Sequence, residues 1–496
     1  MPGGPILYYQ QAETAIFACL EDLILPEWAA QLGAMAITLE HRFFGLSLPS
    51  NASNPIEKYT TLTLENVMLD AVTFVEHIKD TVPGAQNSSV IITGGSYAGF
   101  LTTVTKINYP DVFFGAVPWA APLRSIGANY QNPHRYNWFR WVDKIYWDLS
   151  ATAASKMKNA FDVLKKRFES TTNIISIGKD FNLCSVPGTK ADLNSLMAFI
   201  NTATYLIPQG GYNNPVANPV RATAQKLVNI ILNLDDPVQI VNATLNVYYP
   251  PSIYPCVPFS ITQSDNPTLE LEPFNYLVCK YLPLSSNEIP DGTIFVPTSI
   301  QTESDPTTCE TKFNIVPPTQ EYLEAKYHFS RADLIDAKRI LFTYNEFDPT
   351  TGVGIEPLPL TQDRNASRWM FTNLAAHGEE SIASYPGDSP TVIHAREVQL
   401  QSIKEWLVPF KENVHLFYKQ VDLPQDLMFD LFAAHKCVLT EKISHAEIDD
   451  QGRGPAPCME DSTLCSTKMK GPWIYVVICR GRDLLENETV VRGSLY

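Results

Sequence analysis

The chain has 496 residues, with 37 Lys and Arg against 53 Asp and Glu, a net charge of −16. Apolar content of 45% beside 18% charged residues describes a globular protein and excludes an extended disordered one. The acidic balance argues against a nucleic-acid surface, and the absence of any apolar run of about 18 residues or more argues against a membrane span.

Residues 1–125 alternate strand and helix signals. Ile6 to Tyr9 reads as a strand, and Ala15 to Leu32 carries apolar residues at helical spacing. Ala34 to Leu39 is a short buried strand, and Leu64 to Lys79 an amphipathic helix. Val90 to Thr93 is a further strand, Phe100 to Asn108 a helix, and Phe114 to Val117 a strand. This alternation predicts an α/β fold with a parallel sheet covered by helices on both faces. From 126 to 325 the character changes to aromatic-rich helical segments, near 153–170 and 191–207, followed by a Pro/Asn/Thr-rich stretch. That region reads as an inserted, mainly helical domain. The sheet pattern resumes in 326–420 with a strand at Ala337 to Tyr344 and a helix over about 394–408. Residues 421–496 mix Gly, Pro, Cys and charge without periodicity and read as an extension of unknown role.

Nine cysteines contain no Cys-x-x-Cys pair, so no metal or other cofactor is expected. Four of them, Cys184, Cys256, Cys279 and Cys309, fall in the insert, where disulfides are expected without a pairing. Sequons at Asn51, Asn87, Asn242, Asn365 and Asn487 are candidate glycosylation sites of a secreted or vacuolar-lysosomal protein. The opening Met1 to Tyr9 has no basic segment or cleavage site, so the chain reads as lacking its natural lead-in.

The run Val90-Ile91-Ile92-Thr93-Gly94-Gly95-Ser96-Tyr97-Ala98-Gly99 carries the chemistry. A β-branched strand ends in glycines, a serine follows, and small residues lead into a helix. This is the layout of a nucleophile elbow, in which serine tops a tight strand-to-helix turn. Ala98 occupies the last position of the usual Gly-x-Ser-x-Gly spacing, with Gly99 one later.

An activated serine needs a base and an acid that orients it, in the chain order Ser, Asp, His for this architecture. Asp348 follows a predicted strand, and His377 lies 29 positions on among small residues before the last helix. His394, at a helix start, reads as solvated, and His41 is on the wrong side of Ser96 for this order. The oxyanion hole takes the Tyr97 N–H and a second donor from the loop over residues 9–14. Trp119 is a candidate wall of a substrate slot, with core packing as its alternative role.

With these residues in place, the chain resembles the serine peptidase family of lysosomal Pro-X carboxypeptidase, dipeptidyl peptidase II and the fungal acid prolyl endopeptidases. The resemblance rests on Glu40-His41-Arg42-Phe43-Phe44-Gly45-Leu46-Ser47-Leu48-Pro49 and on Gly94-Gly95-Ser96-Tyr97-Ala98-Gly99. It extends to Tyr109-Pro110, Gly115-Ala116, Ala120-Ala121-Pro122, Asn345-Glu346-Phe347-Asp348-Pro349, Ala376-His377-Gly378-Glu379-Glu380, Asp388-Ser389-Pro390 and Ala395-Arg396-Glu397. Ala12-Glu13-Thr14 looks like the Gly-Glu-Thr loop of the fungal members. The resemblance implies an α/β-hydrolase core with a helical cap, and cleavage after proline, often at acid pH. Thr350 stands where the family usually has Trp, and Gln11-Ala12 where it has glycines. The expected partner is a proline-containing peptide or protein, with no nucleic acid, and a homodimer is carried as an expectation. Two rival readings are a lipase or esterase of the same fold and a catalytically inactive relative acting as a binding module.

Overall fold

The computed structural model describes residues 3–13, 20–45, 47–48, 52–128, 137–259, 271–282, 289–298 and 306–408, with the backbone at 439–440 and 476–479. The sequons Asn51 and Asn487, Thr14 of the predicted oxyanion loop and most of 421–496 lie outside the described residues.

Among the described residues, eight strands form one sheet. In chain order they are β1 (Ile6–Gln10), β2 (Met35–Leu39), β3 (Val90–Gly95), β4 (Gly115–Trp119), β5 (Leu341–Asn345), β6 (Arg368–Thr372), β7 (Leu439–Thr440) and β8 (Val476–Cys479). Their spatial order is β6-β5-β4-β3-β1-β2-β8-β7. All pairs are parallel except β7 with β8. The chain moves from β1 outward to β2, then returns to lay β3 on the other side of β1. Such a reversal opens a crevice at the carboxyl ends of β1 and β3, where open α/β sheets place their sites.

Burial on both faces explains the β-branched strands. Alternate residues go to opposite faces. Tyr8, Val90, Ile92, Phe342 and Tyr344 pack with the helices Leu64–Thr81 and Tyr97–Asn108. Leu7, Ile91, Val117, Trp119 and Leu341 pack on the other side with Trp28, Ile403 and Trp406, from the helices Leu25–Leu32 and Pro390–Leu407. The first of these helices is shorter than its apolar spacing predicts. Pro26 sits in its opening turn and Gly33 caps its end at φ 59°, a left-handed conformation that glycine adopts without strain.

The insertion between β4 and β5 is helical. Helices Asn137–Leu149, Ala151–Ser170, Lys190–Gln209, Ala224–Ile231 and Pro237–Tyr248 enclose a separate apolar core running from Phe139 to Val296. Cys184–Cys256 staples this cap. The later helices Leu271–Tyr281 and Pro306–Phe313 are joined by Cys279–Cys309, and their Leu277 and Phe313 pack into the main core instead. The 126–325 insert is therefore divided between a cap and a segment that returns to the sheet. The tail, aperiodic in sequence, contributes β8, which pairs with β2 through Ala36↔Val476 to Leu39↔Cys479. Among the described residues, no helix is long and apolar enough to cross a membrane.

Candidate active site

Ser96 follows β3 at φ 58° and ψ −125°, a left-handed conformation rare for a residue with a side chain. Strain of this kind costs on the order of 1–3 kcal/mol and persists only where the surroundings impose it. Here they do. The Ser96 N–H donates to Trp119 O at 2.9 Å, tying the elbow to the end of β4. A Cβ at Gly94 would lie 2.7 Å from Ala98 O, and one at Gly99 2.5 Å from Trp119 O. Both glycines are required by close backbone approach, whereas Ala98 keeps its Cβ. The shifted spacing of the elbow is thus accommodated by Gly99. The helix after the turn begins at Tyr97, three residues earlier than its sequence pattern suggests. As its first residue, Tyr97 has an N–H with no intrahelical acceptor.

Asp348 and His377 stand on the loops after β5 and β6. His377 Nδ1 lies 2.8 Å from Asp348 Oδ1, and the aspartate is fully buried. Thr350 holds the carboxylate from behind: its N–H donates to Oδ1 at 2.9 Å and its hydroxyl to Oδ2. The elbow and the histidine loop both pass close to Trp119. A Cβ at Gly95 would lie 3.9 Å from Trp119 Cβ, and one at Gly378 would lie 3.8 Å from the same atom.

The electrostatics around His377 are acidic. Burial alone would depress its imidazole, but the Asp348 charge and hydrogen bond, with contributions from Glu13 and Glu380, hold it above 6.5. Burial raises the Glu13 carboxyl, only partly countered by its own backbone N–H and by His377. Burial raises the Tyr97 phenol, with smaller contributions from Tyr281 and Glu13. Glu380 is buried and raised by burial. It accepts from Thr343 Oγ1 and from Asn345 Nδ2, each at 2.6 Å. Asn345 Nδ2 also donates to Ala376 O at 2.6 Å, and Arg396 Nε to Glu380 O at 3.1 Å. The histidine loop is therefore fixed by β5 and by the last helix together.

Other sequence candidates separate from this cluster. Trp119 is fully buried, its ring centroid 6.0 Å from that of Trp28 and its indole N–H donating to Gln399 at 3.2 Å. Its carbonyl meets the elbow but its side chain packs the core, so of its two roles its surroundings support packing. His41 is buried with Nδ1 2.8 Å from Arg42 O, and burial pushes its imidazole down to about 4. His394 is exposed. Among the sequons, Asn87 is exposed, Asn242 donates its Nδ2 to Asp180 O at 2.8 Å, and Asn365 is half-buried. Thr350, noted in the sequence only as a departure from the resembling family, holds Asp348, and Asn345, Glu380 and Tyr212 bear on the site without a role assigned from the sequence. Asn345 and Glu380 lie in the Asn345–Pro349 and Ala376–Glu380 runs, but only the fold shows which groups they hold.

Comparison with known proteins agrees with this architecture. The lysosomal Pro-X carboxypeptidase of Mus musculus is 25% identical over 428 residues, covering 83% of this chain and 84% of its own. The Homo sapiens lysosomal Pro-X carboxypeptidase is also 25% identical over 428 residues, covering 83% and 82%. A probable extracellular serine carboxypeptidase of Arthroderma benhamiae is 27% identical over 191 residues, covering 36% of this chain and 24% of its own. The serine carboxypeptidase S28 family pattern matches residues 2–264, or 263 of the 496 residues and so just over half. The chain, an α/β protein, belongs to the serine carboxypeptidase S28 family and is a serine peptidase.

Proposed function

We propose that the chain cleaves peptides on the carboxyl side of proline through an acyl-enzyme formed on Ser96. The observation that carries this reading is the 2.8 Å contact between His377 Nδ1 and buried Asp348, and it is supported by the approach of both Gly95 and Gly378 to Trp119 Cβ. Ser96 Oγ attacks the prolyl carbonyl while His377 Nε2 takes its proton. The oxyanion is received by the Tyr97 N–H. His377 then gives the proton to the leaving amine, and water releases the acid by the same steps in reverse order. Asp348 fixes the imidazole's tautomer and favours its charged form. Nucleophile–base hydrogen bonds in unliganded enzymes often tighten only with substrate, so the Ser96–His377 bond is assigned to the substrate complex.

Preference for proline is supported by the Pro-X carboxypeptidase relatives. Of the rival readings, membership of a carboxypeptidase family favours peptide over lipid ester. Two disulfides and the exposed sequon at Asn87 fit an oxidising, secretory route to a vacuolar-lysosomal or extracellular location. Digestion of a mixed peptide library at pH 4–7 with mass-spectrometric readout tests the specificity. New C-termini ending in proline are expected. Cleavage indifferent to proline, or ester hydrolysis with no peptide cleavage, would remove the proline reading.

A further inference from the structure

The residues that hold His377 come partly from the cap. The helix Lys190–Gln209 ends near the site, with Pro208 inside its last turn and Gly210 at its C-cap. The segment that follows reaches the histidine loop with three hydrogen bonds. The His377 N–H donates to Gln209 O at 3.0 Å. The Tyr212 hydroxyl donates to His377 O at 3.0 Å. The Asn213 N–H donates to Glu379 Oε1 at 2.8 Å, and Glu379 Oε2 accepts from Ala376 N–H at 2.9 Å. Both backbone polar groups of His377 are thus satisfied by a segment lying more than 160 positions earlier in the chain.

This strap is itself braced. Asn218 Nδ2 donates to Tyr212 O at 3.1 Å and to Ala222 O at 2.9 Å, while its Oδ1 accepts from Ala222 N–H at 3.1 Å. A Cβ at Gly211 would lie 3.1 Å from Ile207 O, so the turn passes close over the helix end. A cap serving only as a wall would have no reason to bind the main chain of this one residue on both sides.

We infer that Tyr212 is a positioning residue, through which the cap sets the place of His377 between Asp348 and Ser96. Burial raises its phenol, so the hydroxyl remains a donor throughout the working pH range. Opposite it, Asp348 orients the imidazole through Nδ1, while Tyr212 and Gln209 fix the main chain that carries it. The imidazole must take and return a proton within a few tenths of an ångström, and a loosened main chain lowers turnover without changing what binds.

The inference rests on the Ser96–His377 reading, and the experiment separates the two. Tyr212→Phe removes the hydroxyl and keeps the ring. Active sites are titrated to completion with a fluorophosphonate, and kcat per titrated site is measured on a small ester and on a prolyl peptide. The expected result is a five- to tenfold fall in kcat on both substrates with KM unchanged, the loss that one hydrogen bond can produce. Unchanged kcat per titrated site would overturn the inference, because a purely structural role alters the titre and not the turnover of intact sites. If Tyr212→Phe does not fold, Asn218→Ser loosens the strap from outside, with the same two outcomes. Ser96→Ala is run alongside. Retained turnover in that variant would overturn the acyl-enzyme reading itself, whereas its loss with an unaltered Tyr212→Phe overturns only the role given to the cap.

Discussion

Thr350 donates both its N–H and its hydroxyl to the two carboxylate oxygens of Asp348, leaving the aspartate fully buried yet fully engaged with its neighbours. The family resemblance places a tryptophan at this position, and threonine brings a hydroxyl there instead. A buried carboxylate held in this way presents Oδ1 to His377 in one orientation. Asp348→Asn keeps the shape but reverses the donor pattern toward Nδ1, and kcat is expected to fall on the order of 10³–10⁴-fold. Thr350→Val removes one of the supporting bonds, a loss of about 1 kcal/mol and so roughly fivefold in kcat. Steady-state kinetics on a p-nitrophenyl ester check both, and Thr350→Ser is expected to match the parent.

Glu13 contributes, after Asp348, to the acid limb of the pH profile. His377 must be neutral to act as base, and its imidazole is held above 6.5 by Asp348 together with Glu13 and Glu380. Activity therefore falls as pH drops through the raised range of this imidazole. Glu13→Gln removes one negative charge that favours the imidazolium, so the limb moves to lower pH and acid activity rises relative to the parent. A kcat/KM profile whose acid limb stays in place or moves upward in Glu13→Gln would contradict this assignment.

Close backbone approach, and not helix propensity, decides the residues after the elbow. Gly99→Ala places a methyl group 2.5 Å from Trp119 O and forces β4 away from the helix. Destabilisation of about 1–3 kcal/mol is expected. Ala98→Gly relieves no such clash and costs about 1 kcal/mol, from helix propensity and the loss of one buried methyl group. Thermal or denaturant unfolding of the two variants checks the order, and equal losses would show that the packing is not the constraint.

The disulfides close loops of different kinds. Cys184–Cys256 lies within the cap and spans 72 residues, while Cys279–Cys309 spans 30 and ties a segment packed on the main core. Chain-entropy reasoning gives each about 4 kcal/mol. Paired Cys→Ser replacement at 184 and 256 is expected to loosen the cap first, seen as proteolysis within 137–259 while the sheet remains protected. Uniform proteolysis across both regions would contradict the division of the insert.

The sequence marks Ser96, Asp348 and His377 as candidates, because each run joins a recognisable strand or helix signal to an unusual cluster of residues. It disclosed less where the determining contact is distant. β6 was not expected: Arg368–Thr372 is five residues long and mostly half-buried, so it lacks both a strong alternation and a fully apolar run. β8 lies in the tail that reads as aperiodic, and its partner β2 is more than 400 positions away. Period-2 alternation puts Trp119 on the same face as Val117, but only the packed helices show that this face belongs to Trp28 and Gln399. Tyr212 carries no local signature at all, since its role is defined by a carbonyl 165 positions away.

The central claim is that Ser96 is the nucleophile and His377 its base, and covalent labelling tests it most directly. The folded protein is treated with a fluorophosphonate, digested, and the modified peptide sequenced by mass spectrometry. A single adduct on Ser96 is predicted, abolished in Ser96→Ala and slowed by several orders of magnitude in His377→Ala. An adduct on a different serine, or labelling of Ser96 at an unchanged rate in His377→Ala, would contradict the account.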